Sequence, residues 1–213
     1  MRKLLFYMIG LMWFASTTAQ ETNSSFDRSF FSVNAGISVP FLCYGSSDIN
    51  KNTSGFAGLG FTIDISYVYR FSKHVGAAGM VYYCSNKAGN KDVAVLSSSH
   101  RYRFFGVMTG PALLPDFSDR WTLAIAPMAG VARVLTPKLQ LQDETLLNEN
   151  KKTCFAWGGS LALRYHLSGT SFLQLKTDHL NMKPQFKPKA GDAGKGEQHI
   201  VVLNVDAGIG WEF

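Results

Sequence analysis

The sequence has little charge, and beyond its first residues it has no apolar run long enough for a membrane-spanning helix. Only 17% of the 213 residues are charged, and the mean hydropathy is +0.00. The one long apolar run, Leu4–Ala15, is shorter than the roughly 20 residues that a spanning helix needs. Twenty glycines accompany the low charge. This composition favours an all-β chain over a helical soluble domain.

Cysteine is also scarce, and its spacing excludes several kinds of site. Cys43, Cys84 and Cys154 show no CxxC and no metal-ligand spacing. Their odd number excludes a fully paired disulfide framework, so either all three are free or Cys43 and Cys84 are paired. Gly191, Gly194 and Gly196 lack the strand-to-helix context of a phosphate-binding loop. The sequence therefore predicts no metal site and no cofactor.

The charge balance is mildly basic and argues against nucleic acid as a partner. The formal net charge is +6. Without residues 1–19, which contain Arg2, Lys3 and no acid, it is 19 − 15 = +4. No concentrated basic patch of the nucleic-acid-binding kind is visible in the sequence. A surface rich in anionic lipid is compatible with this excess.

The N-terminus is typical of a secretory signal peptide. Arg2 and Lys3 precede the short apolar run, and Thr17–Ala19 provides small residues before a cleavage point ahead of Gln20. We therefore expect a signal peptide over 1–19 and a disordered, polar lead-in over 20–29. No cysteine follows the cleavage point, so a lipoprotein is not expected.

The last sixteen residues, 198–213, show the clearest pattern in the chain. From His199 to Phe213 every second residue is apolar or aromatic after the first, whereas the intervening positions become small and acidic. A period of two indicates a single long β-strand with one apolar face. Its length exceeds the roughly five or six residues of ordinary strands. It suits a strand that crosses a membrane at a tilt, with lipid on one side.

Seven further alternating segments precede this strand, and together they define the fold. The eight predicted strands are 30–40, 55–71, 75–85, 100–112, 120–135, 153–166, 171–183 and 198–213. Connections after strands one, three, five and seven are long and polar, and the other three are short. The sequence predicts an all-β, eight-stranded antiparallel up-and-down transmembrane β-barrel over 30–213, with long extracellular loops and short periplasmic turns. A bulge or bend is expected at Pro127, because proline lacks a ladder donor.

Aromatic residues fall in two groups that match the two ends of this barrel. One group lies at the predicted periplasmic rim: Tyr67, Tyr69, Phe71, Trp121, Tyr165, Trp211 and Phe213. The other lies at the opposite rim: Phe41, Phe56, Tyr102, Phe155 and Trp157. Two aromatic girdles are typical of outer-membrane barrels. The alternative, a soluble sandwich or lipocalin-like barrel, would turn these rings into its core.

The alternating pattern and the final Trp211-Glu212-Phe213 resemble small eight-stranded bacterial outer-membrane barrels, including the OmpA-like and Bacteroidetes porin-family barrels. The resemblance implies an architecture and no specific activity. It implies a Gram-negative outer membrane as the location, with both termini periplasmic. It also implies contact with outer-membrane lipid and lipopolysaccharide. By the same resemblance, Trp211 and Phe213 belong to the signal that the barrel-assembly machinery reads.

Charged residues on the predicted inner face form the candidate site. They are Asp64, Arg70, Arg103, Arg164, Asp206 and Glu212. An eight-stranded barrel is just wide enough for side chains to fill it, so interior charges must be paired or hydrated. We expect Arg103 to pair with Asp64 and Asp206 at mid-height, and Glu212 to lie near Arg70 and Arg164. In strand four this places Tyr102, Phe104 and Met108 on the outer face. The network is either a plug of ion pairs or a path for protons or small ions.

One histidine raises the question of an enzyme. Lipid A deacylases of one outer-membrane type carry a His-x-Ser-Asn stretch, and here His179 is followed by Leu180-Asn181 with no serine. A serine–histidine mechanism cannot run without its nucleophile. We therefore expect no enzyme and place His179 at the rim. The leading hypothesis is a structural or surface-interaction protein with an unidentified surface partner. A porin-like pore is the first alternative, and a lipid-modifying enzyme is the second.

Overall fold

The computed structural model describes eight long strands that form one barrel. It describes residues 29–46, 54–89, 94–95, 101–137, 139–141, 144–147, 150–168, 170–185 and 198–213. The predicted signal peptide and nearly all of the predicted lead-in lie outside the described residues. The barrel strands are β1 (Ser29–Phe41), β2 (Ala57–Arg70), β3 (Val75–Ala88), β4 (Arg101–Leu113), β5 (Trp121–Thr136), β6 (Asn150–Ser168), β7 (Ser171–Met182) and β8 (Ile200–Glu212).

Each strand pairs antiparallel with its neighbours in the chain, and β1 pairs with β8 to close the barrel. The closing ladder extends from Phe30↔Glu212 to Phe41↔Val201 without a register shift. Beyond it, the Ser29 amide donates to the Phe213 carbonyl at 2.9 Å, and the Phe213 amide donates to the Ser29 carbonyl at 3.0 Å. Closure leaves none of the eight barrel strands with a free edge, which confirms the predicted eight-stranded antiparallel barrel.

The connections differ sharply between the two ends of the barrel. At the end called here the short-turn end, β2–β3 and β6–β7 are joined by a few residues, and β4–β5 by a turn that contains the short strand Asp116–Ser118. The opposite, long-loop end carries a four-residue helix, α1 (Leu42–Gly45), and a small sheet of Ala94–Val95, Leu139–Leu141 and Glu144–Leu147. The predicted alternation of long and short connections is confirmed. Among the described residues, no helix combines the length and apolarity needed to cross a membrane.

The predicted faces of β1, β2, β5, β6 and β8 are confirmed. In β2, for example, Phe61, Ile63 and Ile65 are exposed, whereas Thr62 and Asp64 are buried. The exposed side chains form a continuous apolar band on the outside, and the buried ones fill the interior. The outer wall is therefore apolar, whereas the inner wall combines polar and apolar side chains, which differs from the apolar core of a soluble barrel.

The face of β4 was predicted the wrong way round. Tyr102, Phe104 and Met108 are buried in the interior, and Arg103 is exposed on the outer wall. The inner face also carries Gly106, where an added Cβ would collide with the inward ring of Tyr82. The rings of Tyr102 and Phe104 occupy interior space on the same face as the small Gly106. Arg103 lies near the end of the strand, where a charged group can meet water or lipid headgroups.

Proline interrupts one ladder at the point where a bulge or bend was expected. The β4–β5 ladder has the same register on both sides of Pro127, from Thr109↔Ala129 to Leu113↔Ile125, so the expected bulge is absent. The intervening pairs are missing from the ladder. This register places Pro111 opposite Pro127, and neither residue has an amide hydrogen to donate. The result is an interruption of hydrogen bonding without a shift.

The aromatic girdle at the short-turn end is as predicted, and the other one differs in two members. Trp121 packs on Tyr165 with ring centroids 4.8 Å apart, and Tyr69 packs on Phe71 at 5.5 Å. At the long-loop end Phe41, Phe155 and Trp157 are exposed as expected. Phe56 and Tyr102 were assigned there wrongly, because both are buried inside.

The outward face of β8 generates the first prediction. Val205 is 38% exposed within the apolar band, and its neighbour Asn204 is 1% exposed in the interior. Lysine at Val205 should lower the free energy of unfolding by about 2–4 kcal/mol in a lipid bilayer, because a charge would enter hydrocarbon. Asn204→Lys, next to Asp178 and Asp206, should cost less. Urea unfolding in bilayers measures both, and a larger cost for Asn204→Lys would show that the faces of β8 are inverted.

Candidate functional site in the barrel interior

The barrel interior consists of three layers of different chemistry. The upper layer, at the long-loop end, is mostly apolar and contains Tyr44, Phe56, Tyr102, Phe104, Leu180, Met182, Ile200 and Val202. The middle layer is charged and contains Asp64, Lys176, Asp178, Asn204 and Asp206. The lower layer, at the short-turn end, contains Phe30, Arg70, Arg164, His166, Phe172 and Glu212. Most of these side chains are less than 10% exposed, whereas the His166 side chain is 23% exposed.

The upper layer is built by a segment that folds back into the barrel mouth. Tyr44 of α1 is fully buried, with its ring centroid 5.1 Å from that of Tyr102 and 5.8 Å from that of Phe104. The Tyr102 hydroxyl donates to the Gly55 carbonyl at 2.6 Å. Leu42 and Phe56, with φ of 53° and 51°, turn the chain into and out of the mouth in a conformation rare for such residues. Burial raises the pKa of Tyr44 well above its ordinary value, so the phenol stays neutral.

The middle layer is centred on one buried ammonium group. Lys176 Nζ donates to Asp64 Oδ1 at 2.6 Å and to Ser66 Oγ at 3.0 Å. The same Nζ lies 3.1 Å from Asp178 Oδ2. The side chains of Lys176, Asp64 and Asp178 are at most 2% exposed. One lysine thus bridges β2 and β7 across the lumen.

A chain of amides connects the middle layer with the lower layer. Asn34 Nδ2 donates to Asp64 Oδ1 at 2.9 Å, and Gln174 Nε2 donates to Asn34 Oδ1 at 2.9 Å. Arg164 Nε in turn donates to Gln174 Oε1 at 2.9 Å. This continuous network links side chains of four strands and fixes their orientations.

The lower layer places two guanidinium groups on the same aromatic ring. The Cζ atoms of Arg70 and Arg164 each lie 4.5 Å from the Phe30 ring centroid. Arg70 also pairs with Asp116 at 3.3 Å. Glu212 Oε1 lies 2.7 Å from His166 Nδ1. Cation–π contacts and ion pairs therefore line the short-turn mouth.

The structure places five of the six predicted interior charges on the inner wall. Asp64, Arg70, Arg164, Asp206 and Glu212 are all buried there. The expected role of Arg103 is wrong, because its side chain is on the outer wall and Lys176 takes its place. The sequence interpretation missed Gln174, Lys176 and Asp178, although they alternate with the apolar Leu173 and Leu175. That alternation was the signal that could have revealed them.

The remaining candidate residues lie apart from this network or have no assigned chemistry. His179 is exposed on the outer wall, with its ring centroid 6.2 Å from that of Trp157, whereas the neighbouring Asp178 points inward. All three cysteines are free, so Cys43 and Cys84 do not form a disulfide. Trp211 and Phe213 are exposed beside the short-turn end, and their part in assembly stays a prediction.

Comparison with known proteins supports the architecture. No family model matches the sequence, and no curated protein matches it. Among solved structures, Neisserial surface protein A is 14% identical with a TM-score of 0.55, covering 87% of this chain and 97% of that one. OprG from Pseudomonas aeruginosa is 13% identical with a TM-score of 0.51, covering 88% and 97%. The chain has the fold of the small eight-stranded outer-membrane barrels.

The middle layer generates a prediction about stability. Lys176→Met should lower the free energy of unfolding by about 3–5 kcal/mol, because it leaves buried carboxylates without their cation. Arg103→Ala, which also removes one positive charge but from the exposed outer wall, should change it by about 0.5 kcal/mol or less. Urea titration in detergent compares the two variants. Equal effects would contradict the assignment of Lys176 as the central cation.

Proposed function

We propose that this chain is an integral outer-membrane protein with a closed interior and a structural or surface-interaction role. The observation that carries the proposal is the filling of the lumen at three successive heights. Rings occupy the long-loop mouth, ion pairs and amides the middle, and guanidinium groups the short-turn mouth. A barrel of eight strands filled in this way offers no route of porin width.

The outer surface supports placement of the barrel in a membrane. Its apolar band is bounded by exposed aromatics at both ends, as at the two interfaces of a bilayer. Solved structures with the same fold are outer-membrane proteins of Gram-negative bacteria. We place both termini and the short turns on the periplasmic side and the long loops outside the cell. We further propose that Trp211 and Phe213 serve as the assembly signal, after removal of residues 1–19.

Two other functions receive less support. An enzyme acting on lipid would need an activated nucleophile beside His179, and no serine is present in the Leu180-Asn181 stretch that follows this histidine. We therefore propose no catalytic role. Passage of small solutes or ions is the remaining alternative, because the polar chain from Arg164 to Asp64 is continuous through part of the lumen.

The filled lumen generates a prediction about conductance. The refolded protein should show no steady ohmic conductance of porin size in planar bilayers, because every layer blocks the lumen. Tyr44→Ala, which removes the central ring of the upper layer, should still show none, since the middle and lower layers remain. A general porin in the same bilayers is the positive control. Steady porin-size currents from the wild-type chain would favour the pore alternative.

The outer wall carries a further feature that bears on the partner. Five basic side chains project outward near the long-loop ends of four adjacent strands, and we call them the basic belt: Lys87, Arg101, Arg103, Arg133 and Lys151. Lys87 lies opposite Arg101 in the β3–β4 ladder, and Arg133 lies opposite Phe105 in the β4–β5 ladder. Among residues with described side chains, every acid lies in the interior or at the short-turn end.

We propose that the basic belt contacts the phosphate groups of lipopolysaccharide. The belt borders the apolar band at the end placed outside the cell, where lipopolysaccharide forms the membrane surface. Charges of one sign at this position attract anionic headgroups by about 1 kcal/mol for each residue. The belt also gives a reason for the outward direction of Arg103.

The basic belt generates a prediction about lipid preference. The double variant Arg103→Ala, Arg133→Ala should lose about 2 kcal/mol of the stabilisation that lipopolysaccharide-containing bilayers give over lipopolysaccharide-free ones. The matched control is Lys73→Ala with Arg120→Ala, which removes two exposed cations at the short-turn end. Urea unfolding in the two bilayers provides the comparison. Equal losses in both double variants would argue against a specific role for the belt.

A further inference from the structure

The middle layer contains more negative charge than its lysine neutralises. Asp64, Asp178 and Asp206 are each 1–2% exposed. With all three ionised, the single ammonium of Lys176 leaves a formal charge of minus two. Arg164 is joined to this layer only through Gln174 and Asn34. Buried carboxylates without a counter-charge are costly, so the excess calls for a partner.

Five acceptor oxygens in this layer have no hydrogen-bond donor among the described side chains. They are Asp64 Oδ2, Asp178 Oδ1, both carboxylate oxygens of Asp206 and the amide oxygen Asn204 Oδ1. Asn204 is an independent indication, because it is uncharged and 1% exposed. It stands directly opposite Asp178 in the β7–β8 ladder and two residues before Asp206. Its amide nitrogen already donates to Cys84 Sγ at 3.3 Å, which leaves the oxygen available to a ligand.

The geometry of the three carboxylates suits a metal ion. One oxygen from each of Asp64, Asp178 and Asp206 can be chosen so that all lie within 4.8 Å of one another. Two oxygens on opposite sides of a Ca²⁺ ion lie about 4.6–5.2 Å apart, because Ca–O distances are about 2.3–2.6 Å. We propose that these carboxylates, together with Asn204 Oδ1, form a buried binding site for a divalent cation, Ca²⁺ in preference to Mg²⁺.

Charge and ligand type select the class of ion. A charge of minus two is balanced by one divalent cation, whereas a monovalent ion leaves one negative charge. The ligand atoms are all oxygens, and oxygen ligands bind hard cations such as Ca²⁺ and Mg²⁺ in preference to zinc or copper. Mg²⁺ requires shorter distances of about 2.0–2.1 Å and a near-ideal octahedron, which an irregular set of strand side chains provides less readily.

The proposed ion connects strands that are not all neighbours. Asp64 belongs to β2, Asp178 to β7 and Asp206 to β8, while β1 lies between β2 and β8. A cation at this point joins the two sides of the closing β1–β8 ladder from within the lumen. Because the layers above and below are filled, the ion enters while the barrel folds and stays enclosed afterwards.

The test refolds the full mature chain from urea with either Ca²⁺ or a chelator present. Asp206→Asn is the site variant, and Asp119→Asn is the matched control, because it makes the same change at an exposed turn. Wild type and Asp119→Asn should retain one Ca²⁺ for each chain after gel filtration, as measured by atomic emission. They should also unfold at a higher temperature than when refolded with chelator. Asp206→Asn should bind at least tenfold more weakly and show no Ca²⁺-dependent shift.

A second measurement locates the ion without relying on the folding of the site variant. Tb³⁺ replaces Ca²⁺ during refolding, and its emission is excited through a nearby tyrosine. Tyr82 is the Cα partner of Asp64, points into the lumen and is 2% exposed. Tyr82→Phe should reduce the excited emission at least fivefold while the amount of bound Tb³⁺ is unchanged. Wild type without stoichiometric ion, or undiminished emission from Tyr82→Phe, would overturn the proposal, because protons or a different site would then balance the charge.

Discussion

The constraint on which the whole structure depends is the pairing of every backbone amide and carbonyl within the apolar band. In hydrocarbon there is no water to satisfy them, so a sheet must close on itself. The β1–β8 ladder provides this closure and continues to the Ser29–Phe213 pair. Once the ladder closes, a period of two assigns each residue to lipid or to lumen, and the chemistry of both surfaces follows. The interrupted β4–β5 ladder at the two facing prolines is a local exception to this pairing.

The second requirement is that a narrow interior must be filled without stranding charge. The interior is filled by different means at different heights, and the middle layer keeps an excess of negative charge. Rings exclude water at the long-loop mouth, whereas in the middle Lys176 holds two carboxylates and passes the network on through amides. At the short-turn mouth, Phe30 lies against two guanidinium groups and lowers their exposure. The interior is therefore graded from apolar to charged along the barrel axis.

Much of the fold was predictable from the sequence, because a strand with one side toward lipid and the other toward a polar interior alternates apolar and polar residues. β2, β6 and β8 show this directly. The prediction for β4 was wrong because both faces of this strand carry apolar or aromatic residues. The inward face is the one on which Gly106 packs against the Tyr82 ring, and the polarity of Arg103 did not indicate it. The site was harder to predict, since partners such as Lys176 and Asp64 are far apart in the chain and meet only through the barrel register. The burial of Tyr44 depends on a loop path for which the local sequence gives no period.

The closing ladder also has a consequence for the timing of biogenesis. β1 obtains its second hydrogen-bonding partner only from β8, which a ribosome makes last among the eight strands. Until β8 has been made, β1 therefore presents an unsatisfied edge, the kind of surface on which chains aggregate. The barrel cannot fold in separate parts during translation, because no subset of its eight strands forms a closed cylinder. The cylinder can therefore close only when the whole chain has been made and its two most distant strands meet.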